Sequence, residues 1–337
     1  MPTSLSSHKT IRKQEWTSRL IKPSTRAERK KEFLRHELLE GLMMEQMKMS
    51  SKFFYDTNGS KLFEWITKLP EYYPTRTEKS ILKQYGQQLF GHLSHIDLVE
   101  LGSGDCSKIS LILSAIPSKQ RETIIYRPID FSQSALDQSQ LQLLKVLPEL
   151  KVEPLVADFT KLQALPNGQP RVICFLGSTI GNFDLHESQL LLQQIADIMN
   201  TGDQLIIGLD LVKDTETLES AYNDSQRITE AFNKNILRSC NNILHSNFHP
   251  PAFEHLAFFN HEKSRIEMHL KALSDLFVKS PYLNGQIMIQ KGETIHTENS
   301  HKYTIPMIEE LADSIRLNIK NIFTDQKQWF SLVQMVK

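Results

Sequence analysis

Residues 98–108 read LVELGSGDCSK, and the fold is decided there. Leu98, Val99 and Leu101 are apolar and partly β-branched, as in a strand covered on both faces. Glu100 stands near the strand's end, and Gly102 and Gly104 follow at once. Ser110–Ala115 then continues as helix, with Pro117 beyond its end. Glycine in such a loop permits positive φ and lets a ligand approach the backbone. A dinucleotide loop of the G-x-G-x-x-G type needs a third glycine at the position held by Ser107, so that reading is weak. A strand-to-helix turn with two structural glycines and no ligand is the alternative.

Downstream, Thr123–Ile129 reads as a second strand that ends at Asp130. An acidic residue there is placed to accept both hydroxyls of a ribose, although Asp130 or Ser132 can equally cap the helix Gln133–Lys145. Val152–Val156 is a short third strand leading to Asp158-Phe159. An acceptor beside an aromatic ring suits an adenine, and a loop aspartate beside a core phenylalanine is just as common. Arg171–Leu176 is a fourth strand that runs into Gly177-Ser178-Thr179-Ile180-Gly181-Asn182-Phe183. In an open α/β sheet this second loop should face the first across the point where strand order reverses. Leu185–Met199 follows as helix and Gln204–Leu209 as a fifth strand ending at Asp210.

That alternation predicts a parallel, doubly wound sheet. It breaks at Val212. Thr215–Cys240 reads as one helix, and Leu256–Asn260 and Arg265–Ala272 as strands. Gln286–Gln290 and Glu293–Glu298 suggest further strands, or a hairpin turning at Lys291-Gly292. Helix Ile305–Leu317 and strands Leu317–Phe323 and Trp329–Val336 then complete a seven-stranded sheet. Upstream, Ser24–Lys48 reads as helix, with methionines 43, 44, 47 and 49 as core filler. Asn58-Gly59 signals a turn before a helix at Lys61–Lys68. Glu71-Tyr72-Tyr73-Pro74 should be extended, and a helix from Thr75 or Thr77 should reach Phe90. The tyrosines suit a binding pocket and a core edge alike.

The expected organisation is therefore a polar tail over 1–22, a substrate-binding lobe from 23–76 plus 212–302, and a sheet domain from 77–211 plus 303–337. Zero net charge gives no general pull toward nucleic acid or an anionic membrane. Residues 1–31 depart from this, with 9 Lys/Arg against 2 Asp/Glu, as in a solvated tail. No apolar run is long enough to span a membrane, and no secretory signal opens the chain. Three widely spaced cysteines suit a reducing, cytoplasmic setting. The 12 histidines show no ligand spacing, so no metal site is expected.

Without its third glycine, the first loop looks like the opening motif of S-adenosylmethionine-dependent methyltransferases. Several stretches together resemble one family of these, the histidine Nα-methyltransferases of ergothioneine biosynthesis. They are YDTNGSKLFEWITKLPEYYPTRTE at 55–78, ELGSGDCSK at 100–108, PIDFS at 128–132 and FLGSTIGNF at 175–183. DLVKD at 210–214, YNDSQRITEAFNKNIL at 222–237, IEMHLKA at 266–272 and TENSHKY at 297–303 complete the set. The resemblance implies a Rossmann-like, class I methyltransferase domain with an inserted α+β lobe. It implies S-adenosylmethionine as cofactor, with S-adenosylhomocysteine as product, and free L-histidine as substrate of a monomer. Gly102, Gly104, Lys108 and Asp130 should line the cofactor site, with Asp158 and Phe159 at its adenine. Tyr55, Asn182 and Tyr222 should hold the amino acid's amine and carboxylate, with Tyr55 able to relay a proton. Glu298 and Ser300 should hold the imidazole, Tyr72 should close the pocket, and Met268 matches the histidine-type pocket. The competing readings are methylation of another free amino acid, such as tryptophan, and a non-catalytic protein that binds S-adenosylmethionine.

Overall fold

The computed structural model describes residues 26–104, 106–130, 133–165 and 168–337. The expected tail at 1–22 and the capping role weighed for Ser132 lie outside the described residues. In chain order the strands are β1 (Asp97–Leu101), β2 (Ile125–Asp130), β3 (Lys151–Val152), β4 (Leu155–Val156), β5 (Arg171–Phe175) and β6 (Gln204–Asp210). Then come β7 (Phe253–Asn260), β8 (Arg265–Ala272), β9 (Leu276–Lys279), β10 (Gln286–Ile289), β11 (Thr294–His301), β12 (Asn318–Thr324) and β13 (Phe330–Val336). The described residues divide into two compact units, one within 72–215, 261–265 and 300–337, the other within 26–71, 216–260 and 266–299.

The first of these carries the large sheet, in the order β12-β13-β6-β5-β1-β2-β3, with β4 also on β2. Strands β1, β2, β5 and β6 are mutually parallel, and β13 runs antiparallel to both β6 and β12. Alternate side chains of each strand point to opposite faces. Val99, Leu101, Ile173, Phe175, Ile207 and Leu209 accordingly pack on one side with Leu192 and Ile195 of helix Leu185–Ile198. Leu98, Val172, Cys174 and Ile206 pack on the other with Ile81, Leu82 and Leu89 of helix Tyr73–Phe90. Both faces being covered explains why these strands read as unbroken apolar runs. Order reverses between β1 and β5, whose register pairs Asp97 with Arg171 and Glu100 with Cys174. The two glycine loops therefore leave neighbouring parallel strands at their carboxyl ends, as expected. The third strand is two short pieces, not one: the Glu153 amide still reaches the Tyr126 carbonyl at 2.8 Å, but Pro128, the next residue of β2 on that side, has no N–H to continue the ladder.

The second unit is built from helices and two small sheets, β11-β8-β7 and β10-β9. Here several expectations fail for local reasons. Strand β10 pairs with β9, which had no clear signal, so the hairpin expected at Lys291-Gly292 is absent and β11 lies on β8 instead. The first helix, described from Arg26, stops at Leu42, and the Lys48 amide returns to the Gly41 carbonyl at 2.9 Å. Gly41 permits this, since a Cβ there would lie 2.3 Å from the Lys48 carbonyl oxygen. Met47 and Met49 do fill core, whereas Met44 is exposed. Asn58-Gly59 is no turn but the start of helix Thr57–Ile66, capped where the Gly59 amide donates to Asp56 Oδ1 at 2.7 Å. The long helix splits into Thr215–Ser220 and Ile228–Leu244. Asp224 starts the second piece by accepting from the amides of Ile228 and Thr229 at 2.8 and 2.7 Å. In the first unit, Tyr73 already belongs to helix Tyr73–Phe90, with Pro74 in its first turn, where a missing N–H costs nothing.

Candidate active site

In the sheet unit, Gly102 and Gly104 have φ of +65° and +50°, which explains why glycine stands at both. A Cβ on Gly102 would lie 3.3 Å from the Phe159 ring, so an apolar aromatic edge covers the loop where it leaves β1. Asp130 ends β2 and is 9% exposed. A bare glycine backbone, an aromatic ring and a carboxylate at one sheet end fit the expected adenosine and sulfonium of S-adenosylmethionine. Asp158 immediately precedes Phe159. It is exposed, and its Oδ1 takes the Thr160 amide and hydroxyl at 3.1 and 2.6 Å, capping the turn that carries Phe159.

Lys108 points to a residue not singled out in the sequence. Its Nζ lies 2.8 Å from Oε2 of Glu78, which is fully buried, while Glu78 Oε1 accepts the Gly177 amide at 2.8 Å. Gly177 has φ +79°, and a Cβ there would sit 2.8 Å from Lys108 Nζ. Glu78 thus ties the helix after β1 to the loop after β5. Asn182 ends the 3-10 turn Thr179–Asn182 and is half-buried. Ser178, in the left-handed region at φ +53°, accepts the Asp210 amide at 3.0 Å.

A second buried network centres on Asp210 at the end of β6. Its oxygens accept from the Tyr73 hydroxyl at 2.9 and 2.8 Å, from Lys213 Nζ at 2.6 Å and from Lys302 Nζ at 2.7 Å. Burial opposes the Asp210 charge, but the Lys302 and Lys213 ammonium groups hold its carboxyl below the usual range. Burial likewise lowers Lys213, against the pull of Asp210, to about 8. Lys302, with 0% exposure, also donates to Ser300 Oγ at 2.8 Å. Next to it, burial and then the charges of Arg265 and Lys302 lower His301 to about 4. Tyr72, half-buried, stands at the start of helix Tyr73–Phe90.

The second unit holds the other expected residues. Tyr55 follows the turn Ser51–Phe54, and its ring meets Phe63 and Phe232 edge-on at 5.7 Å each. Tyr222 lies in the break between the two helix pieces, and its carbonyl is 2.9 Å from His255 Nε2. Burial lowers the His255 imidazole, a neutral ring fitting this site. Met268 is 1% exposed on β8, where its carbonyl accepts from Thr297 Oγ1 at 3.0 Å. Thr297 and the carbonyl of His269 are both held by Asn233, at 2.6 and 3.0 Å. Glu298 is half-buried on β11.

Pairing of β8 with β11 also gathers histidines that look scattered along the chain. Glu267, His269 and His296 bring one ligand-type atom each within 4.8 Å of one another. Their contacts run within the strand face. His269 Nε2 is 3.1 Å from Glu267 Oε2, His269 Nδ1 is 3.3 Å from Thr294 Oγ1, and His296 Nε2 is 3.0 Å from the Glu298 carbonyl. Among the described residues no helix is long and apolar enough to cross a membrane.

Residues 34–337 match the protein family described as histidine-specific methyltransferase, SAM-dependent. Histidine N-alpha-methyltransferase of Mycolicibacterium smegmatis is 36% identical over 288 residues, covering 84% of this chain and 88% of that protein. Histidine N-alpha-methyltransferase of Mycobacterium tuberculosis is also 36% identical, covering 80% of this chain and 84% of that protein. Ergothioneine biosynthesis protein 1 of Schizosaccharomyces pombe is 30% identical over 70% of this chain and 32% of its own, longer chain.

Proposed function

The chain belongs to the S-adenosylmethionine-dependent, histidine-specific methyltransferases, and from that premise we propose that it transfers three methyl groups in turn to the α-amino nitrogen of free L-histidine, giving hercynine. The observation that carries the choice of substrate is the spacing of Glu298 and Ser300 on β11. Residues two apart on a strand share a face, so a carboxylate and a hydroxyl can meet one small ring. An imidazole N–H needs an acceptor, and a carboxylate is a strong one. A ring without that N–H would deprive the carboxylate of this donor, and sites built to hydrogen-bond a substrate N–H discriminate by roughly 10⁴–10⁵.

S-adenosylmethionine supplies a methyl group activated by a sulfonium. Gly102 and Gly104 would let its backbone-hugging portion approach, Asp130 would accept its ribose hydroxyls, and Phe159 would cover its adenine. Lys108, held by Glu78, and Asp158, through the turn it caps, would act by shaping those loops. Tyr55, Asn182 and Tyr222 would fix the histidine carboxylate and amine, and Tyr72 and Met268 would close on the ring. The amine must lose its proton before it can attack. The Tyr55 hydroxyl or a water would relay that proton. Rate would come chiefly from alignment of nitrogen, methyl and sulfur in a site that excludes water. A trimethylated nitrogen has no N–H left, so the sequence of transfers stops there. The three free cysteines support a reducing, cytoplasmic setting, and the family resemblance suggests a monomer.

Steady-state kinetics of Glu298→Ala test the reading. Histidine kcat/KM should fall by at least about 10³, toward the range in which a buried, substrate-specific polar contact discriminates. Unchanged turnover would contradict the role given to Glu298.

A further inference from the structure

We infer that Lys302 is a positioning residue that biases the Ser300 hydroxyl toward donating its hydrogen bond, so that Ser300 reads the unprotonated ring nitrogen of histidine while Glu298 reads the N–H. The inference rests on the assignment of Ser300 to the ring and goes beyond it, by naming what sets the polarity of that contact.

A serine hydroxyl both donates and accepts, and its proton rotates to suit its surroundings. Alone, it could not tell a ring nitrogen from a ring N–H. Lys302 narrows that freedom. Its Nζ lies 2.8 Å from Ser300 Oγ, and an ammonium has protons to give and no lone pair. Ser300 therefore accepts from Lys302 with one of its two lone pairs and cannot spend its own proton there, which biases the hydroxyl toward donating to another partner. Ser300 is 6% exposed, which keeps that polarity from being averaged by water. Lys302 is itself fixed, at 0% exposure with Asp210 Oδ2 2.7 Å from its Nζ. Asp210 is anchored in turn by the Tyr73 hydroxyl and Lys213.

A buried lysine is an expensive way to tie the end of a strand, because desolvating an ammonium costs several kcal/mol before any pairing. The charge becomes intelligible if its task is to orient Ser300. Neutral imidazole carries one N–H and one lone-pair nitrogen. A carboxylate that only accepts and a hydroxyl biased to donate match that pattern. Indole, with an N–H alone, would leave the Ser300 proton without an acceptor.

Two ring isosteres of histidine separate the contacts. A pyrrolyl analogue keeps the N–H and replaces the lone-pair nitrogen by C–H. A thiazolyl analogue keeps a lone-pair nitrogen and replaces the N–H by sulfur. In the unmodified protein the pyrrolyl analogue should lose roughly 10–100-fold in kcat/KM relative to histidine, the effect of leaving one buried donor unpaired. Ser300→Ala and Lys302→Met should both reduce that loss to about threefold or less, while the thiazolyl penalty, which belongs to Glu298, stays as it was. If Ser300→Ala removes the pyrrolyl penalty and Lys302→Met leaves it intact, Lys302 does not orient Ser300 and the proposal fails. If Ser300→Ala changes neither penalty, the assignment of Ser300 to the ring is what fails. Calorimetric binding of S-adenosylmethionine checks that each variant is folded. Should Lys302→Met not fold, nitrogen NMR of ring-labelled histidine bound to the unmodified protein with S-adenosylhomocysteine decides the matter. One protonated and one hydrogen-bonded lone-pair nitrogen are expected, and a doubly protonated ring would overturn the proposal.

Discussion

The two units hold their interiors together by different chemistry. The sheet unit buries ions in pairs. Asp210 takes Lys213 and Lys302, Glu78 takes Lys108, and Arg171 meets Asp203 at 2.8 Å. The other unit's most buried polar links are mainly amides and hydroxyls. Asn233 joins Thr297 to β8, and Asn235 and Ser239 both donate to Asp56 at 2.9 Å. An interior linked mainly by amide and hydroxyl donors tolerates the loss of one such donor at modest cost. An interior of paired ions does not, because the survivor is a buried charge. Two of these clusters stand at the carboxyl ends of the strands, Asp210 at the end of β6 and Glu78 against Gly177 after β5, where the cofactor loops and the Ser300 contact are also found. Arg171 and Asp203 stand at the opposite end. Stability and function are therefore coupled more tightly in the sheet unit.

The largest expected effect breaks the ionic side of this comparison. Asp210→Ala should destabilise the protein by about 3–5 kcal/mol, because it leaves Lys213 and Lys302 buried without their carboxylate. Urea unfolding would measure it, and a loss below about 1 kcal/mol would place those ammonium groups in contact with water.

A somewhat smaller effect comes with pH. His301 titrates at about 4 in the folded chain, against 6.5 as the ordinary value, so the unfolded chain binds the proton first as pH falls. Its contribution to stability is fully present above pH 6.5 and is lost between there and about 4. The whole window is worth about 3 kcal/mol. In His301→Gln the fall of the urea midpoint across that window should be shallower. An unchanged slope would assign the acid sensitivity to other groups.

The smallest effect sharpens the contrast from the neutral side. Asn233→Ala should cost about 1–3 kcal/mol, the range for a buried hydrogen-bonding group left unsatisfied. If Asn233→Ala proves more damaging than Asp210→Ala, the distinction between the two interiors is wrong.

The same contrast governs what could be read from the sequence. Strands β1, β2, β5 and β6 were legible because burial on both faces makes them apolar runs, each followed by a helix. The two glycine loops were legible through their glycines, and strand order placed them side by side. The second unit was harder. Residues 221–227 carry no proline or glycine to announce the break in the helix, which Asp224 makes by capping. Strand β9 was hidden because its alternation lasts only four residues. Asn58-Gly59 looks like a turn, yet Gly59 serves close packing, since a Cβ there would lie 1.7 Å from the Phe54 carbonyl oxygen.

Among candidate site residues, the sequence motifs contained Glu78, Asp210 and Lys302 without disclosing their roles. Glu78 closes PTRTE, Asp210 opens DLVKD, and Lys302 stands in TENSHKY. Their partners are up to 137 residues away, as with Tyr73 and Asp210, so no local spacing reports them. A charged residue at the end of an apolar strand was the one available hint. The Glu267, His269 and His296 grouping was invisible for the same reason, because it forms only when β8 and β11 pair.

The central claim, that free histidine is the methyl acceptor, is tested most directly by mass spectrometry of small-molecule products. The purified protein would be incubated with S-adenosylmethionine and a mixture of all free amino acids. Histidine should gain three methyl groups on its α-nitrogen, with S-adenosylhomocysteine formed in matching amount and the other amino acids unmodified. Methylation of a different amino acid, or no methylated product from a protein that binds S-adenosylmethionine, would contradict it.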